Sequence, residues 1–570
     1  MNTILAPLKE LGAYEEIMRA LHQTGGKAAA SGCVESQKLH MIFGTDAGFD
    51  VKIIVTYNEI KARELLDDCR LYCRESYFYP AKDLIFYQAD VHSNQLTRER
   101  IAVQRRILEG KPFTIVTTFA ALMAHQIPLK IIEDSVIHIG VGSVVEEQAL
   151  ARRLSVMGYE KSFQVEAPGQ FSIRGGIVDI FDLTSENPVR MELWGDEVES
   201  IRSFDILSQR SVEDNMTQVS IYPAVEMILS PENMQEGLLQ VQRDCKERAA
   251  YFRAQTMPEE AHRLEQAVEE LCTQVTEFQS YLNLESYMGY FYENTMSLID
   301  FFRDKSCCFY LDEPMRIEEH ANAVELEFRE SMTNRAEKGY ILPKQMEVLF
   351  GVQEVMARLE KERTFALSTM EYKGFPIKFT NRYAINTRSV PSYHSSFAEL
   401  VKDLNSFKKR GYRVLLLSSS VTRAKRLAMD LMDEGLNAFY TEDAQRILQA
   451  GEIMTFHGSV RKGFEYPLLK FIVISETDIF GRQQQKKKRH KNSGEKYSGT
   501  KIQSFTDLKV GDYVVHENHG LGIYRGIEKV KVEGVVKDYI KIEYRDGGNL
   551  YILATGLDVI QKYASSDAAK

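Results

Sequence analysis

Long hydrophobic runs are missing from this chain. No stretch of eighteen uninterrupted apolar residues occurs in its 570 positions, which excludes a membrane-spanning helix of ordinary length. The start, MNTILAPLKELGAYEEIM, places acidic residues early and has no basic segment ahead of an apolar one. A secretory leader is therefore not expected, and the expected compartment is the cytoplasm. Cysteines number seven, at 33, 69, 73, 245, 272, 307 and 308, with no CxxC pair. Cys69 and Cys73 lack a nearby histidine or second pair to complete a zinc set, so packed, reduced thiols and no metal are expected. Net positive charge is also absent: 81 acids against 71 lysines and arginines leave a net charge of −10. A globally acidic protein grips a phosphate backbone poorly, and any nucleic-acid contact must be local.

Catalytic signatures are equally thin. A phosphate-binding loop needs glycines that bare their amides, a lysine for the γ-phosphate and a hydroxyl for magnesium, in the pattern GxxxxGK[ST]. The nearest approach, Thr24-Gly25-Gly26-Lys27-Ala28, puts alanine where the hydroxyl is required, and 24–30 reads as a non-catalytic helix start. Ser418-Ser419-Ser420 reads as an N-cap cluster rather than an anion site. His516 and His519 have no third ligand near them. No Ser-His-Asp or Cys-His set stands out, so no catalytic residue is assigned and no enzyme activity is expected of the chain.

What is present is ordinary globular protein. Apolar residues make up 44% and charged residues 27%, and the length suits about four domains at roughly 150 residues each. Short apolar runs alternate with helical stretches over 1–120: Val51–Val55, Leu84–Tyr87 and Thr114–Thr118 read as strands, 58–71 and 97–108 as helices, and together they predict a parallel sheet. From 121 to 214 the texture is strand-rich, and apolar alternation around Gly175-Gly176 marks an antiparallel pair. Ser230-Pro231 opens a long helical region, broken at Met257-Pro258 and closed by strands at 308–311 and 364–367. Residues 373–394 read as an extended linker and 395–480 as a small βαβ domain. The window Arg482–Lys501 carries eight basic residues against one acid, a polar linker. Residues 506–562 form a small all-β module, with Asp546-Gly547-Gly548 as a hairpin turn.

Two clusters point to partners. Arg190 and Trp194 share strand parity and project to one face, with Arg174 just before the glycine pair. Arginine and tryptophan together fit a protein-binding hot spot; the alternative is a surface arginine pair beside a core tryptophan. In the β-module, Lys529, Val530, Lys531 and Val532 alternate as one solvated and one apolar face, and flanking lysines discourage strand-to-strand aggregation.

QFSIRGGIVDIF, PVRMELWGDEVESIRSFDILSQRS, VGDYVVHENHGLGIYRGIEKV and DYIKIEYRDGGNLYI, with FYPAKDLIFYQADVHSNQLTRERIAVQRRIL and LDEPMRI in order, resemble the bacterial transcription-repair coupling factors. The first two motifs are shared with the excision-repair protein UvrB and the next two with CarD-type regulators. The resemblance implies an α/β multidomain chain with a degenerate RecA-like, UvrB-like N-terminal region. Domain 1a would span 1–120, the α+β insert (domain 2) 121–214 and domain 1b 215–372. A linker (373–394), a small α/β domain (395–480), a basic linker (481–505), a Tudor- or SH3-like barrel (506–562) and the start of a further linker (563–570) would follow. It implies UvrA as partner of Arg174, Arg190 and Trp194, where tryptophan replaces an aromatic that is often phenylalanine. It implies the RNA polymerase β subunit as partner of 506–562 by β-augmentation, with 528–532 as the candidate edge. The family's translocase, with ATP, magnesium and most DNA contact, would follow this stretch, so no cofactor is expected of the chain itself. Two further readings are a UvrB-like ATP-dependent damage-recognition subunit and a CarD-like transcription regulator.

Overall fold

The computed structural model describes residues 2–46, 48–82, 94–276, 284–481, 499–501, 511–516, 520–532, 535–544, 549–553 and 560–563. Met1–Gln483 form one compact unit and Gln484–Lys570 another. The chain is a mixed α/β, multidomain protein.

The first unit is organised by a parallel sheet of seven strands. Their order is Asn381–Ala384, Lys27–Ser31, Thr364–Ser368, Cys307–Asp312, Val51–Thr56, Phe113–Thr118 and Ser76–Tyr79. Strands such as VKIIVT are buried at every position because the sheet is covered on both faces. Ile53, Ile115, Phe309 and Leu311 pack on one side; Ile54, Val116, Tyr310 and Phe365 pack on the other. Each such side chain contributes roughly 1.5–3 kcal/mol when fully buried.

Residues 27–31 depart from the expected helix start: Lys27–Ser31 is an inner strand, paired with Thr364–Ser368 and Asn381–Ala384. Alanine favours helices, but Ala28, Ala29 and Ala30 are at most 4% exposed, and their small side chains admit close neighbours above and below the sheet. Tertiary pairing overrides local propensity here. Residues 373–394 are extended but are not a free linker, since Asn381–Ala384 joins this sheet and Arg388–Ser389 pairs with Phe464–Tyr466. The expected strand Leu84–Tyr87 lies outside the described residues, and Ser76–Tyr79 supplies an edge strand that the apolar pattern did not flag.

A largely antiparallel insert follows, in which Glu160–Lys161 pairs parallel to Gln170–Arg174. Its six strands run in the order Ser211–Glu213, Glu197–Phe204, Val189–Trp194, Ile177–Ile180, Gln170–Arg174 and Glu160–Lys161. Phe171, Val178, Ile180, Val189, Met191 and Ile201 pack on one face with Leu150 and Leu154 of the helix Glu147–Val156. Gly175 and Gly176 turn the hairpin between Gln170–Arg174 and Ile177–Ile180 with φ of +55° and +81°, values that glycine tolerates.

The helical region has the expected boundary. The Ser230 hydroxyl accepts from the Asn233 amide at 3.2 Å and caps Pro231–Ala254, and Pro258–Thr276 packs back against it. Residues 395–480 build most of a second sheet, one face of which has a core of its own around Leu400, Val414, Leu416 and Ile472. Arg413–Ser418 and Phe471–Ser475 are parallel neighbours in a six-stranded sheet. Leu415, Leu417 and Val473 on one face of that sheet share a single apolar cluster with Leu39, Met41 and Phe43. A strand such as VLLL, apolar on both faces, needs a cover on each side, and the N-terminal helices provide one of them.

In the second unit, antiparallel strands pair in the order 499–501, Ile560–Tyr563, Tyr513–His516, Gly520–Val532, Val535–Glu543 and Asn549–Leu553. The last two strands pair antiparallel with Ile542 opposite Leu550; the turn expected at 546–548 lies outside the described residues. Among the described residues no ladder joins the two outermost strands of this sheet.

Candidate partner-docking site

The uncovered face of the insert sheet carries the arginine and tryptophan candidates. Strand register aligns Ser172, Asp179, Arg190 and Arg202 in one cross-strand row. Arg190 Nε donates to Asp179 Oδ1 at 2.7 Å, and its terminal nitrogen to Oδ2 at 2.8 Å and to Gln209 Oε1 at 3.0 Å. This is the bidentate geometry in which arginine binds a carboxylate most strongly. The guanidinium also lies 4.3 Å over the Phe204 ring. Asp179 is buried, its side chain 1% exposed, whereas Arg190 is 15% and Arg174 37% exposed. Arg174 reaches Asp179 Oδ2 only at 3.4 Å and stacks 5.3 Å over Phe163.

The two arginines therefore differ in kind. Arg190 neutralises a buried carboxylate and holds the face together. Arg174, more exposed, makes a longer contact to the same carboxylate and lies over Phe163. One row further along, Glu192 accepts from Ser200 and Arg202 and is held below the usual carboxylate range first by the Ser200 hydroxyl and then by Arg202.

Trp194 ends its strand opposite Glu197 and is 81% exposed. It shares the outward parity of Arg190, as the sequence predicts, and it is not a core residue. The ring is left in water on a sheet face rather than packed in the core.

The β-module candidates fall within Gly520–Val532. Lys529, Val530, Lys531 and Val532 face Asp538, Lys537, Val536 and Val535 across one ladder. On the other edge, Tyr513–His516 pairs with Gly520–Ile523 only, and among the described residues 527–532 has no second ladder. Among the described residues the backbone of 527–532 is therefore paired on one side only. His516 pairs with Gly520 at the strand end, and His519 lies outside the described residues.

A third location was missed from sequence. Lys27–Ser31 leads through 32–36 into the helix Gln37–Gly44, a strand–loop–helix turn of the kind that cradles phosphate. Its lysine is Lys38, not Lys27. Lys38 is buried, at 2.6 Å from Asp312 Oδ1 and 2.5 Å from Glu313 Oε1. Burial alone would lower its pKa, but Asp312 and Glu313 outweigh that and hold it above its ordinary value. Gly32 has φ +77°, a Cβ there would stand 2.1 Å from the Ile385 carbonyl oxygen, and the Thr387 hydroxyl donates to the Gly32 carbonyl. The cradle is covered by its own chain, and its lysine is engaged by internal acids. Gly32 and Lys38 flanking the start of an apolar helix, with LDEP far downstream, were the available signal. Lys27 instead donates to the Gly25 and Glu362 carbonyls.

The serine cluster likewise meets an internal carboxylate. Ser420 caps the helix Val421–Asp433, while Glu476 accepts from the Ser419 amide at 2.6 Å and the Ser418 hydroxyl at 3.2 Å. Five cysteines are buried, two are partly exposed, and none forms a disulfide. Burial pushes the Cys33 and Cys307 thiols up to about 12. No group of three metal-ligating side chains occurs among the described residues, and no helix among them is long and apolar enough to cross a membrane.

Two protein families match the chain, and they match where the two candidate faces lie. The UvrB interaction domain covers residues 137–227, and the CarD-like/TRCF RID domain covers 508–564. The chain thus carries two matched modules, one in each compact unit. It is similar from end to end to transcription-repair-coupling factors, aligning with their N-terminal half. That of Bacillus subtilis is 32% identical over 574 residues, covering 100% of this chain and 48% of the relative. Those of Staphylococcus epidermidis and Staphylococcus aureus are 28% and 27% identical, covering 90% and 100% of this chain and 43% and 47% of the relatives. The chain spans about half the length of the curated relatives it matches.

Proposed function

We propose that this chain is an adaptor in transcription-coupled nucleotide-excision repair. It binds the RNA polymerase β subunit through the 506–562 module and recruits UvrA through the face around Arg174, Arg190 and Trp194. The observation that carries this reading is the exposure of Trp194 on the sheet face that also carries the partly exposed Arg174, in a domain matched as a UvrB interaction domain. The free backbone edge at 527–532 supports strand addition as the polymerase contact. Val530 is its apolar contact residue, flanked by Lys529 and Lys531, with Val532 extending the edge.

The N-terminal region is read as a RecA-like, UvrB-like fold whose nucleotide site has closed. The Lys38 ion pairs and the covered Gly32 support an absence of ATP hydrolysis by this chain. ATP-driven translocation, and with it magnesium and most DNA contact, is assigned to the remaining length of the relatives. The 506–562 module is read as a small Tudor- or SH3-like barrel, and the protein is assigned to the cytoplasm.

Crossed binding measurements test the adaptor reading. Val530→Arg places a charge on the docking edge and should abolish binding to the N-terminal lobe of the polymerase β subunit while UvrA binding persists. Trp194→Ala should do the reverse. A folded Val530→Arg chain with unchanged polymerase affinity would show that the edge was wrongly chosen, and ATP hydrolysis by the chain would favour a UvrB-like enzyme.

A further inference from the structure

Six large apolar side chains are more than three-quarters exposed among the described residues: Val144, Phe163, Trp194, Leu207, Met370 and Leu468. Four of the six lie within 137–227, a stretch of about one-sixth of the chain. Scattered exposed apolar residues need no explanation, but a concentration on one small domain does.

Two of these side chains, Phe163 and Leu207, are connected through the arginine centre. Phe163, 83% exposed, lies against the Arg174 guanidinium. Arg174 and Arg190 share Asp179. Arg190 in turn holds Gln209, two residues after Leu207, which is 80% exposed. Leu207 stands on a fixed turn: Asp205 Oδ1 accepts from the Ser208 amide and hydroxyl at 2.8 and 2.7 Å, and the Gln209 side chain donates to the Ile206 carbonyl at 2.8 Å. Beneath this turn Val165, Phe181, Phe204 and Ile206 form a small apolar cluster separate from the main core of the insert. The turn is held ready rather than ordered on contact, which lowers the cost of association.

We propose that Phe163 and Leu207 are anchoring residues of the same docking face, one on each side of the Arg174–Asp179–Arg190 centre, and that UvrA occupies all of it. The inference rests on the UvrA reading above and extends it. Continuity with the matched interaction domain supports that occupant. So does charge: the incompletely paired Arg174 calls for a carboxylate on the partner, with apolar surface on either side of it to meet Phe163 and Leu207.

The experiment is titration of purified UvrA into the whole chain and into Phe163→Ala, Leu207→Ala, Trp194→Ala and Leu468→Ala. All four positions are exposed, so the variants should fold, and circular dichroism melts check this. Phe163→Ala and Leu207→Ala should each weaken binding by about thirtyfold, the size of a hot-spot truncation, with Leu468→Ala unchanged. If Trp194→Ala loses binding while Phe163→Ala and Leu207→Ala stay within twofold of the parent, the inference fails and the UvrA reading stands. If the parent chain does not bind UvrA, or none of the three face variants loses affinity, both fail.

Discussion

Replacing Arg190 with alanine should damage the protein before it damages any interface. Asp179 is 1% exposed at its side chain and receives two arginine hydrogen bonds, at 2.7 and 2.8 Å, from Arg190. After the substitution its remaining arginine partner is Arg174 at 3.4 Å. Removing one member of a buried ion pair costs about 3–5 kcal/mol, because the other charge stays desolvated. Arg190 is itself partly exposed and Arg174 can move closer, which argues for the lower end of that range. The lost stacking on Phe204 adds roughly 0.5–1 kcal/mol. A net loss of about 3–4 kcal/mol is a large share of an ordinary domain stability of roughly 5–15 kcal/mol. Because a chain of several domains need not unfold in one step, the assay is hydrogen exchange of the amides in Gln170–Phe204. Their protection should fall at least about a hundredfold. Adding Asp179→Asn, which removes the stranded charge, should restore most of it. Trp194→Ala, at an exposed position, should change stability by no more than about 0.5 kcal/mol. Unchanged protection in Arg190→Ala would refute the assignment of Arg190 as a structural residue and return it to the interface.

Two other perturbations probe the buried polar groups. His40 is buried, accepts from the Tyr466 hydroxyl and donates to the Ile4 carbonyl, and burial pushes its pKa down from 6.5 to about 4. Its stabilising share is therefore complete above about pH 6.5 and is lost as pH falls through about 4, at most about 3 kcal/mol. Asp68, raised to about 7 by burial, has the opposite sign, so the check is the difference in urea midpoint between the parent and His40→Gln, which should narrow between pH 6.5 and 4. Lys38→Met strands Asp312 and Glu313 and should cost about 3–5 kcal/mol. A thermal melt should show it, with Asp312→Asn as a partial rescue.

Much of the fold can be read directly from the chain, for identifiable reasons. The hairpin at Gly175-Gly176 and the helix start at Ser230-Pro231 are local signals, set by residues within a few positions of each other. The outward parity of Arg190 and Trp194 follows from the period of a strand. What stayed hidden is non-local. Asp179 pairs with Arg190 through strand register, and nothing in either segment alone reveals it. Lys38 meets Asp312 across 274 positions, so this buried ion pair becomes visible only once the parallel sheet is assembled. The alanines of Lys27–Ser31 mislead because the burial of their neighbours, not their own propensity, sets their conformation. The shared core on one face of the 395–480 sheet escaped for the same reason: an apolar strand announces that it needs two covers but not where they come from.

Bridging tests the central claim most directly. The polymerase β N-terminal lobe is immobilised, the chain is added, and retention of UvrA is measured with and without it. The adaptor account predicts UvrA retention only when the chain is present, lost with Val530→Arg and with Trp194→Ala alike. Retention of the chain without UvrA, or of neither protein by a folded chain, would contradict it.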